Sequence, residues 1–345
     1  MQNYLIIGGA GFIGSNIASY LCSVGKSVTI LDNFSRRGTD LNLKWLQTSY
    51  PDIKVVKADV RHDLDKLNEA VAQNEVVYHL AAQVAVTTSV KNPREDFEIN
   101  ALGTFNVLEA ARLSARKPIV IFSSTNKVYG GMEDVKIVHD EKRYSYADYP
   151  LGIPEDRLLD FHSPYGCSKG TGDQYVRDYA RIYDIPTVVF RQSCIYGTHQ
   201  FGLEDQGWVA WFTIASLLSK PLKIYGDGKQ VRDVLFVDDL VRAFVSATDN
   251  IEKTKGKIFN IGGGASYTMS LLELVSYLEE FLGQKITYSF ADWRPGDQPV
   301  YISDVRKAKE VFGWQPQIDV KQGVSKLVFW VKENRAMIED VFKDM

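Results

Sequence analysis

The sequence predicts an α/β fold built on a doubly wound parallel sheet. Short apolar runs alternate with amphipathic stretches through the first half of the chain, and a glycine-rich turn directly follows the first apolar run. Buried parallel strands are near-continuous apolar runs, and they are joined by crossover helices that cover both faces of the sheet. Both observations therefore favour this architecture over a helical bundle or a β-sandwich.

The apolar runs have the length of buried strands. They cover residues 4–7, 28–31, 54–56, 76–80, 119–123 and 187–190. Between them, apolar residues recur at three- and four-residue spacing, which is typical of helices with one buried face. This spacing predicts helices over residues 12–25, 64–73, 97–116 and 165–183.

The regular alternation weakens after about residue 190, which predicts a smaller mixed α/β lobe. We expect a helix within residues 207–219, a strand at 222–225, and helices at 271–282, 304–312 and 321–334. The predicted division assigns residues 1–190 with 229–262 to a dinucleotide-binding domain. Residues 191–228 with 263–345 then form an interleaved lobe that binds a second ligand.

Composition narrows the class of ligand. The 345 residues are 45% hydrophobic, which is ample for a packed core, and 40 basic residues face 43 acidic ones for a net charge of −3. This balance gives neither the basic footprint of a nucleic-acid-binding protein nor a polybasic membrane patch. No apolar run approaches the roughly 18 residues of a membrane span. A small-molecule ligand is therefore expected.

The cysteines and histidines carry no metal or disulfide pattern. Cys22, Cys167 and Cys194 are scattered and lack C-x-x-C spacing, which predicts free thiols and a reducing cytoplasm. The histidines with site potential, His79, His162 and His199, lack the spacing of metal ligands, so we predict no metal.

The glycine-rich turn has the pattern of a dinucleotide site. Gly8, Gly11 and Gly14 lie between the first predicted strand and the first predicted helix. Gly8 suits the tight turn, Gly11 admits a pyrophosphate, and Gly14 lets helix and strand pack closely. A glycine pattern alone could be a simple turn, but here it sits in a complete strand–turn–helix–strand unit.

Asp32 follows at the end of the second predicted strand, where a carboxylate accepts both hydroxyls of an adenosine ribose. This favours NAD. Arg36 and Arg37 suggest the alternative of a clamp for the 2′-phosphate of NADP. A phosphate beside Asp32, however, would meet a repulsion of roughly 4 kcal/mol at about 4 Å and an effective dielectric near 20.

Further residues of the predicted cofactor site lie at the ends of the parallel strands. Asp59 is a candidate partner of the adenine amine, although a strand-end cap explains it nearly as well. Asn100 is a candidate near the nicotinamide, with helix capping as the alternative. The remaining candidates are Phe12, Ile13, Asn33, Ser35, Arg36, Val60, Leu80, Ala81, Ala82 and Ser123, together with Tyr165 and Lys169.

Tyr165 and Lys169 are the candidate catalytic pair. They are four residues apart in the run YGCSK and so share one helix face. A tyrosine with its usual pKa of about 10 is a poor base at neutral pH. A cation about 4 Å away contributes about 4 kcal/mol at an effective dielectric near 20. We therefore expect Lys169 and an oxidised nicotinamide ring to lower the pKa of Tyr165.

Hydroxyl side chains end the fifth predicted strand, in the run Ser123-Ser124-Thr125. Open parallel sheets bind ligands at this edge, so a hydroxyl there can bridge a substrate and Tyr165. A Y-x-x-x-K spacing by itself occurs by chance on exposed helices. Its combination with the glycine turn and these hydroxyls favours a catalytic site.

Several runs together resemble the extended short-chain dehydrogenase/reductase family along nearly the whole chain. They are GGAGFIG, DNFSR, FSSTNKVYG, YGCSK, GDGKQVRDVLFVDDL, FNIGGG and RPGDQ. The resemblance implies a Rossmann fold and catalytic roles for Thr125, Tyr165 and Lys169. It also implies transient oxidation of a sugar carbinol by NAD, return of the hydride to the opposite face, and assembly as a homodimer or homotetramer.

The residues after Thr125 narrow the expected reaction. The resembling sugar 4,6-dehydratases carry an acidic pair where this chain has Asn126 and Lys127. Because both acids are missing, elimination of water lacks its acid and base. The runs SSTNKVYG, DFHSPYGCSKG, YGTHQFG, DQGWVAWF and GDGKQVRDV are similar to epimerases that act at C2 of CDP-linked deoxyhexoses. The alternatives are a UDP-sugar 4-epimerase, a dehydratase or reductase, and a non-catalytic NAD sensor.

A CDP-sugar substrate needs anchors for its diphosphate. Arg232 and Arg294 have the forked guanidinium that suits this group, although surface ion pairing would explain them too. Arg294 opens the turn Arg294-Pro295-Gly296-Asp297. The predicted substrate residues are Thr125, Asn126, Gln206, Tyr225, Arg232, Arg294 and Asp297. Trp208 and Trp211 share one helix face, and we interpret both as core residues without a site role.

Overall fold

The computed structural model of the chain describes residues 2–294 and 296–343. In chain order its strands are β1 (Asn3–Ile7), β2 (Ser27–Asp32), β3 (Lys54–Lys57), β4 (Val76–His79), β5 (Ile119–Thr125), β6 (Ile137–His139), β7 (Tyr144–Tyr146), β8 (Thr187–Gln192), β9 (Cys194–Tyr196), β10 (Leu222–Tyr225), β11 (Val231–Phe236), β12 (Lys257–Ile261), β13 (Thr268–Ser270), β14 (Tyr288–Ala291) and β15 (Val300–Tyr301).

The helices, again in chain order, are α1 (Phe12–Ser23), α2 (Thr39–Ser49), α3 (Leu64–Ala72), α4 (Val86–Lys91), α5 (Pro93–Phe97), α6 (Gly103–Leu113), α7 (Ser163–Tyr183), α8 (Trp208–Leu217), α9 (Val237–Asp249), α10 (Ile251–Thr254), α11 (Leu271–Leu282), α12 (Arg306–Phe312), α13 (Val320–Glu333) and α14 (Arg335–Phe342). A π-helical turn, Glu98–Leu102, separates α5 from α6. A 3₁₀ turn, Asn126–Tyr129, follows β5.

The large sheet has the strand order β12-β8-β5-β4-β1-β2-β3, and each neighbouring pair is parallel. The predicted doubly wound parallel sheet is therefore confirmed. The sequence did not indicate the edge strand β12. The strand order reverses between β1 and β4, and ligands bind in the crevice at the carboxyl ends of strands beside such a switch point.

Alternating residues of β1 show how the sheet is buried. Tyr4 and Ile6 pack into a core with the helices on one face, including α1 and α9. Leu5 and Ile7 pack into a second core with α3, α6 and α7 on the opposite face. Successive side chains of a strand point to opposite faces, so a strand covered on both sides must be apolar at every position.

A smaller lobe follows the sixth strand of the large sheet. In it, β11 pairs with β9, β13 and β15, while β10 pairs with β14. Its core is formed mainly by α8, α11 and α13 packed around these strands. Residues 229–262 contribute β11 to this lobe but α9 and β12 to the large one. The exact division of the chain into domains stays a prediction.

The predicted helix over residues 97–116 is wrong in one respect, because the π-turn Glu98–Leu102 interrupts it. Asn100 in this turn is buried, and its side chain bonds both main-chain groups of Gln83 and the hydroxyl of Ser168. A π-turn inserts a residue into the helical register, often beside a functional site. Within residues 2–294 and 296–343, no helix is long and apolar enough to cross a membrane.

Candidate active site

The glycine turn after β1 forms a cradle that side chains would fill. Gly8 has φ of 82°, and a Cβ there would lie 2.7 Å from the backbone nitrogen of Ala81. A Cβ at Gly14 would lie 2.4 Å from the carbonyl oxygen of Gly8, whereas one at Gly11 would meet only this oxygen, at 3.2 Å. The turn leads into α1, whose first free N–H groups suit an anion. These positions fit a dinucleotide pyrophosphate.

Asp32 ends β2 beside the glycine turn and is buried. One carboxylate oxygen accepts the backbone N–H of Ala10 at 3.0 Å, and the other accepts that of Phe34 at 2.8 Å. Burial raises the pKa of Asp32, while both hydrogen bonds oppose the rise. The carboxylate is thus fixed where the ribose of a dinucleotide would lie.

A cleft of about 1130 Å³ extends from the glycine turn past the ends of β2, β3 and β4. All predicted cofactor residues between Gly8 and Ala82 line it. Asn100, Ser123, Tyr165 and Lys169 are not among the lining residues. The sequence missed the contribution of the smaller lobe, which adds His199, Gln200, Phe201 and Gln206. Three of these lie in the run YGTHQFG, whose role the resemblance left unassigned.

Arg36 and Arg37, which follow β2, form hydrogen bonds with distant parts of the chain. Arg36 Nη2 donates to Gln206 Oε1 at 2.5 Å, and Arg37 Nη1 donates to the carbonyl of Val341 at 2.7 Å. Both arginines also line the cofactor cleft, and each guanidinium has further N–H donors, so the choice of NAD rests on the buried carboxylate of Asp32. Asp59 is bound by Arg61 and Asn33, and the Arg61 hydrogen bonds hold its pKa well below the usual range.

The candidate catalytic residues meet at the carboxyl end of β5. Thr125 ends that strand, and its hydroxyl lowers the pKa of Tyr165, which is buried near the start of α7. Lys169 Nζ donates to the carbonyl of Ser123 at 2.5 Å and lies 4.2 Å from the ring centroid of Phe122. The Thr125 hydroxyl, the Tyr165 phenol and the Lys169 ammonium thus all belong to the region around the carboxyl end of β5.

The expected lowering of the Tyr165 pKa is wrong for the protein alone. Burial raises the pKa of this phenol to about 12, against a smaller lowering by the Thr125 hydrogen bond. The charges that act on Tyr165 are Asp96, which raises its pKa, and Arg36, which lowers it. Lys169 donates its hydrogen bond to the Ser123 carbonyl, and burial lowers its own pKa to about 7.

A second cleft of about 680 Å³ lies in the smaller lobe. It collects the predicted residues Gln206, Tyr225, Arg232, Arg294 and Asp297. The two clefts share Gln206 and therefore adjoin. Thr125 and Asn126 do not line this cleft and lie instead at the catalytic strand end.

Contacts within the second cleft fix its two arginines. Arg232 Nη2 bonds Asp297 Oδ1 at 3.1 Å, and the guanidinium carbon of Arg294 lies 3.8 Å from the ring centroid of Tyr225. Cation–π stacking of this kind holds a guanidinium flat against the ring. Trp208, interpreted from its spacing as core, lines the cleft. Pro295, which belongs to the predicted turn, lies outside the described residues.

The two residues after Thr125 connect the catalytic strand end with the smaller lobe. Asn126 is buried, and its Oδ1 accepts the Thr125 hydroxyl at 3.3 Å. Lys127 Nζ donates to the carbonyl of Gly296 at 3.2 Å and to Gln298 Oε1 at 3.4 Å. Burial lowers the pKa of Lys127 to about 8. A carboxylic acid is present at neither position.

Comparison with known proteins finds relatives that are similar along nearly the whole chain. Residues 5–327 match the family model described as GDP-mannose 4,6 dehydratase. CDP-paratose 2-epimerase of Salmonella typhi is 45% identical over 333 residues, which cover 94% of this chain and 98% of that protein. A putative UDP-glucose 4-epimerase of Methanocaldococcus jannaschii is 36% identical, with 96% of this chain and 98% of that protein covered.

The fold is also similar to solved structures. The UDP-glucose 4-epimerase of Thermotoga maritima, solved with UDP-glucose, matches with a TM-score of 0.83 at 31% identity, covering 97% of this chain and 100% of that one. The UDP-glucuronic acid 4-epimerase of Bacillus cereus, solved with UDP-glucuronic acid and NAD, matches with a TM-score of 0.81 at 27% identity. It covers 96% of this chain and 99% of that one.

The chain therefore belongs to the GDP-mannose 4,6 dehydratase family of extended short-chain dehydrogenases/reductases. Its glycine cradle and Asp32 fit NAD, which is its cofactor. With the adjoining second cleft and these relatives, the chain is an NAD-dependent nucleotide-sugar epimerase.

Proposed function

We propose that the chain inverts C2 of a CDP-linked deoxyhexose, interconverting CDP-paratose and CDP-tyvelose. The observation that carries the proposal is that Gln206 lines both clefts. The cofactor cleft therefore adjoins a cleft that contains two arginines. The 45% identity with CDP-paratose 2-epimerase across nearly the whole chain supports the choice of nucleotide and carbon. The cytoplasmic location predicted from the sequence is part of the same proposal.

Inversion of an unactivated carbinol carbon by direct deprotonation is prohibitive, so the carbon must become a planar ketone for a time. NAD, when bound in the first cleft, supplies the hydride acceptor and a positively charged ring. Tyr165 removes the proton of the reacting hydroxyl and later returns it, with Thr125 holding the oxygen through its own hydroxyl. Because the ketone is reduced again before release, the cycle is redox-neutral.

The nucleotide must stay anchored while the sugar presents its other face. Arg232 and Arg294 are the proposed anchors of the diphosphate, since forked guanidinium groups bind such oxygens in pairs. Asp297 orients Arg232, and the stack on Tyr225 orients Arg294. Thr125 and Asn126 remain the proposed contacts of the sugar itself.

Epimerisation rather than dehydration is supported by the residues that follow Thr125. Elimination of water needs a general acid and a base close to the sugar. Asn126 has a neutral amide there, and Lys127 uses its ammonium to hold Gly296 and Gln298. Thr125, Tyr165 and Lys169 are all present in the chain, which disfavours a non-catalytic NAD sensor.

A UDP-sugar 4-epimerase is the second candidate. It is favoured by the similarity to the relative from Methanocaldococcus jannaschii and to the solved structure from Thermotoga maritima. The catalytic pair would be the same, because oxidation at C4 needs the same acid and base as oxidation at C2. The two candidates differ in the nucleobase that the second cleft binds, cytosine or uracil. They differ also in the orientation of the sugar, which decides whether C2 or C4 is oxidised.

We expect the purified protein to convert CDP-paratose into a mixture with CDP-tyvelose, with no accumulation of NADH. Proton NMR of the sugar resonances gives the composition, and absorbance gives the NADH. UDP-glucose and a GDP-linked sugar are run in parallel as matched substrates. Conversion of UDP-glucose alone would replace the proposal with the second candidate. No conversion of any nucleotide sugar would reject both.

The outer face of α6 and α7 supports assembly with a second copy of the chain. These helices expose large apolar side chains, namely Phe105, Leu113, Tyr175, Ile182 and Tyr183. Phe105 and Tyr175 pack edge to face, 5.9 Å apart, so the exposed surface is continuous across both helices. An extended apolar patch of this kind marks a protein interface. We propose that two copies pair through it.

Light scattering in solution should accordingly give twice the chain mass of 38.9 kDa, or four times if dimers pair further. Ile182→Glu puts a charge into the proposed interface and should shift the mass toward the monomer. Glu252→Lys, an exposed change on α10, is the control. A monomer at micromolar concentration in the wild type would contradict the assembly but leave the catalytic proposal intact.

A further inference from the structure

One loop of the smaller lobe forms a wall of both ligand clefts. It comprises residues 198–206, between β9 and α8, and is named the strap. Its first part lines the cofactor cleft with His199, Gln200 and Phe201. Its last part lines the second cleft with Glu204, Asp205 and Gln206. A movement of the strap would therefore change both clefts together.

Aromatic rings hold the first part of the strap against the dinucleotide-binding domain. The ring of His199 stacks on that of Trp45 in α2, with centroids 3.6 Å apart and an angle of 18° between the planes. Phe201 lies so close to Gly38 that a Cβ at this glycine would overlap its ring. Burial lowers the pKa of His199 to about 4, so its ring is neutral at physiological pH. The strap thus packs on α2 as an apolar surface.

Amide side chains join the strap to the glycine turn. Asn42 Nδ2 donates to the carbonyl of His199 at 3.3 Å and to that of Ala10, within the turn, at 3.2 Å. Asn42 is 2% exposed, and a buried amide of this kind keeps its hydrogen bonds. Asn16 of α1 donates to the carbonyl of Thr198 at 3.0 Å. The strap is therefore tied to the turn that fits the pyrophosphate.

The last part of the strap reaches both sides of β1. Arg36, which follows β2, donates to Gln206 at 2.5 Å. Thr87 of α4, the helix that follows β4, donates its hydroxyl to Asp205 Oδ2 at 3.1 Å. Because β2 and β4 are the two neighbours of β1, the strap spans the switch point of the sheet. Ligands of such sheets bind at this point.

The tip of the strap is bound to the proposed anchors of the nucleotide. The carbonyl of Glu204 accepts from Arg294 Nη2 at 2.9 Å, and its Oε1 accepts the Tyr225 hydroxyl at 3.0 Å. Backbone hydrogen bonds of 2.9 and 3.0 Å between Leu203 and Gln206 close the turn at this tip. Opening the strap would break these contacts within the second cleft.

We propose that the strap retains NAD between turnovers and that a nucleotide in the second cleft holds the strap closed. A ligand shifts an equilibrium toward the conformation that it contacts better. A nucleotide there would touch residues 204–206 only while the strap is closed, so it should slow the release of NAD. Retention serves a redox-neutral cycle, because loss of the cofactor after the oxidation would leave an unreduced ketone. It depends on neither the carbon that is inverted nor the nucleobase.

Exchange of bound NAD tests the proposal without any turnover. Protein loaded with carbon-14 NAD is mixed with excess unlabelled NAD, and gel filtration measures over time the label that stays with the protein. CDP is the nucleotide probe, with UDP in a parallel arm. At saturation at least one of them should slow the exchange about fivefold or more, as is usual for two coupled sites. An exchange rate that neither nucleotide changes would overturn the proposal.

Trp45→Leu removes the ring beneath His199, at a position that is not among the lining residues of either cleft. We expect NAD to exchange about tenfold faster, because the strap loses its aromatic stack on α2. Trp45→Phe keeps a ring for His199 and should restore slow exchange. Gln47→Ala, at an exposed position of the same helix, is the matched control and should exchange at the wild-type rate.

The nucleotide separates an open strap from a damaged α2. In Trp45→Leu the nucleotide should still slow the exchange, because it draws the strap closed again. Fast exchange that neither nucleotide slows, or exchange at the wild-type rate, would overturn the proposal.

If Trp45→Leu does not fold, Thr87→Val takes its place and removes the exposed bond to Asp205. It should speed the exchange about threefold or more, and an unchanged rate would overturn the proposal as well. Conversion of UDP-glucose alone would replace the proposed inversion at C2 and leave these exchange rates as they are. The two failures are therefore separate results.

Discussion

Phenylalanine in place of Tyr165 is expected to slow turnover at least a hundredfold while NAD binding is retained. The change removes only the phenolic oxygen, which is the proposed acceptor of the sugar hydroxyl proton. A positioned acid or base contributes about 10²- to 10⁴-fold to a rate. The buried ring itself stays, so α7 should keep its place against β5.

The measurement is the initial rate of CDP-sugar interconversion, together with the NAD content of the purified protein. Tyr20→Phe is the matched control, because this tyrosine is exposed on α1 and lies outside the proposed dimer patch. The control should turn over as the wild type does. Undiminished turnover in Tyr165→Phe would remove this residue from the mechanism and leave Lys169 as the remaining candidate base.

The second large effect is expected at the glycine cradle. In Gly14→Ala the new Cβ would lie 2.4 Å from the carbonyl oxygen of Gly8 and 2.6 Å from the Cα of Gly9. Both are backbone atoms, so the turn after β1 must open. Overpacking of this kind costs about 1–3 kcal/mol in the free energy of unfolding. We expect lower thermal stability and protein purified without NAD.

Gly11→Ala is the matched variant at the same turn. Its Cβ would meet only the Gly8 carbonyl oxygen, at 3.2 Å, and otherwise faces the cleft. This change should weaken NAD binding with little loss of stability. Thermal unfolding and calorimetric titration with NAD separate the two effects. Gly14→Ala protein with wild-type stability and NAD affinity would show that the close approach of α1 to the turn is not required.

The large sheet could be predicted because its strands carry their signal locally. β1 is apolar at consecutive positions, and the glycine turn that follows it marks the ligand edge. β12 was missed, since its run Lys257–Ile261 is short and mixes in Asn260. The π-turn in the predicted helix over residues 97–116 was missed too. Its cause is a tertiary one, the bonds of Asn100 to Gln83 and Ser168.

Site residues that lie close together in the sequence could be predicted from their spacing. Contacts between segments that are distant in the sequence could not. Thr125 lies at the end of β5, and Tyr165 and Lys169 lie one turn apart on α7. The contact of Arg36 with Gln206 joins residues 170 positions apart, which no local pattern reveals. The lowering of the Tyr165 pKa expected from Lys169 is not found, because burial, which the sequence did not measure, outweighs the nearby protein charges. The lowering expected from the nicotinamide ring stays a prediction.

The central claim is a transient oxidation at C2, and deuterium at that carbon tests it most directly. CDP-paratose deuterated at C2 is incubated with the protein in ordinary water, and the CDP-tyvelose formed is examined by NMR and mass spectrometry. If the proposed oxidation occurs, the deuterium stays at C2 while the configuration inverts. Replacement of that deuterium by solvent hydrogen, or inversion at C4 with C2 untouched, would contradict it.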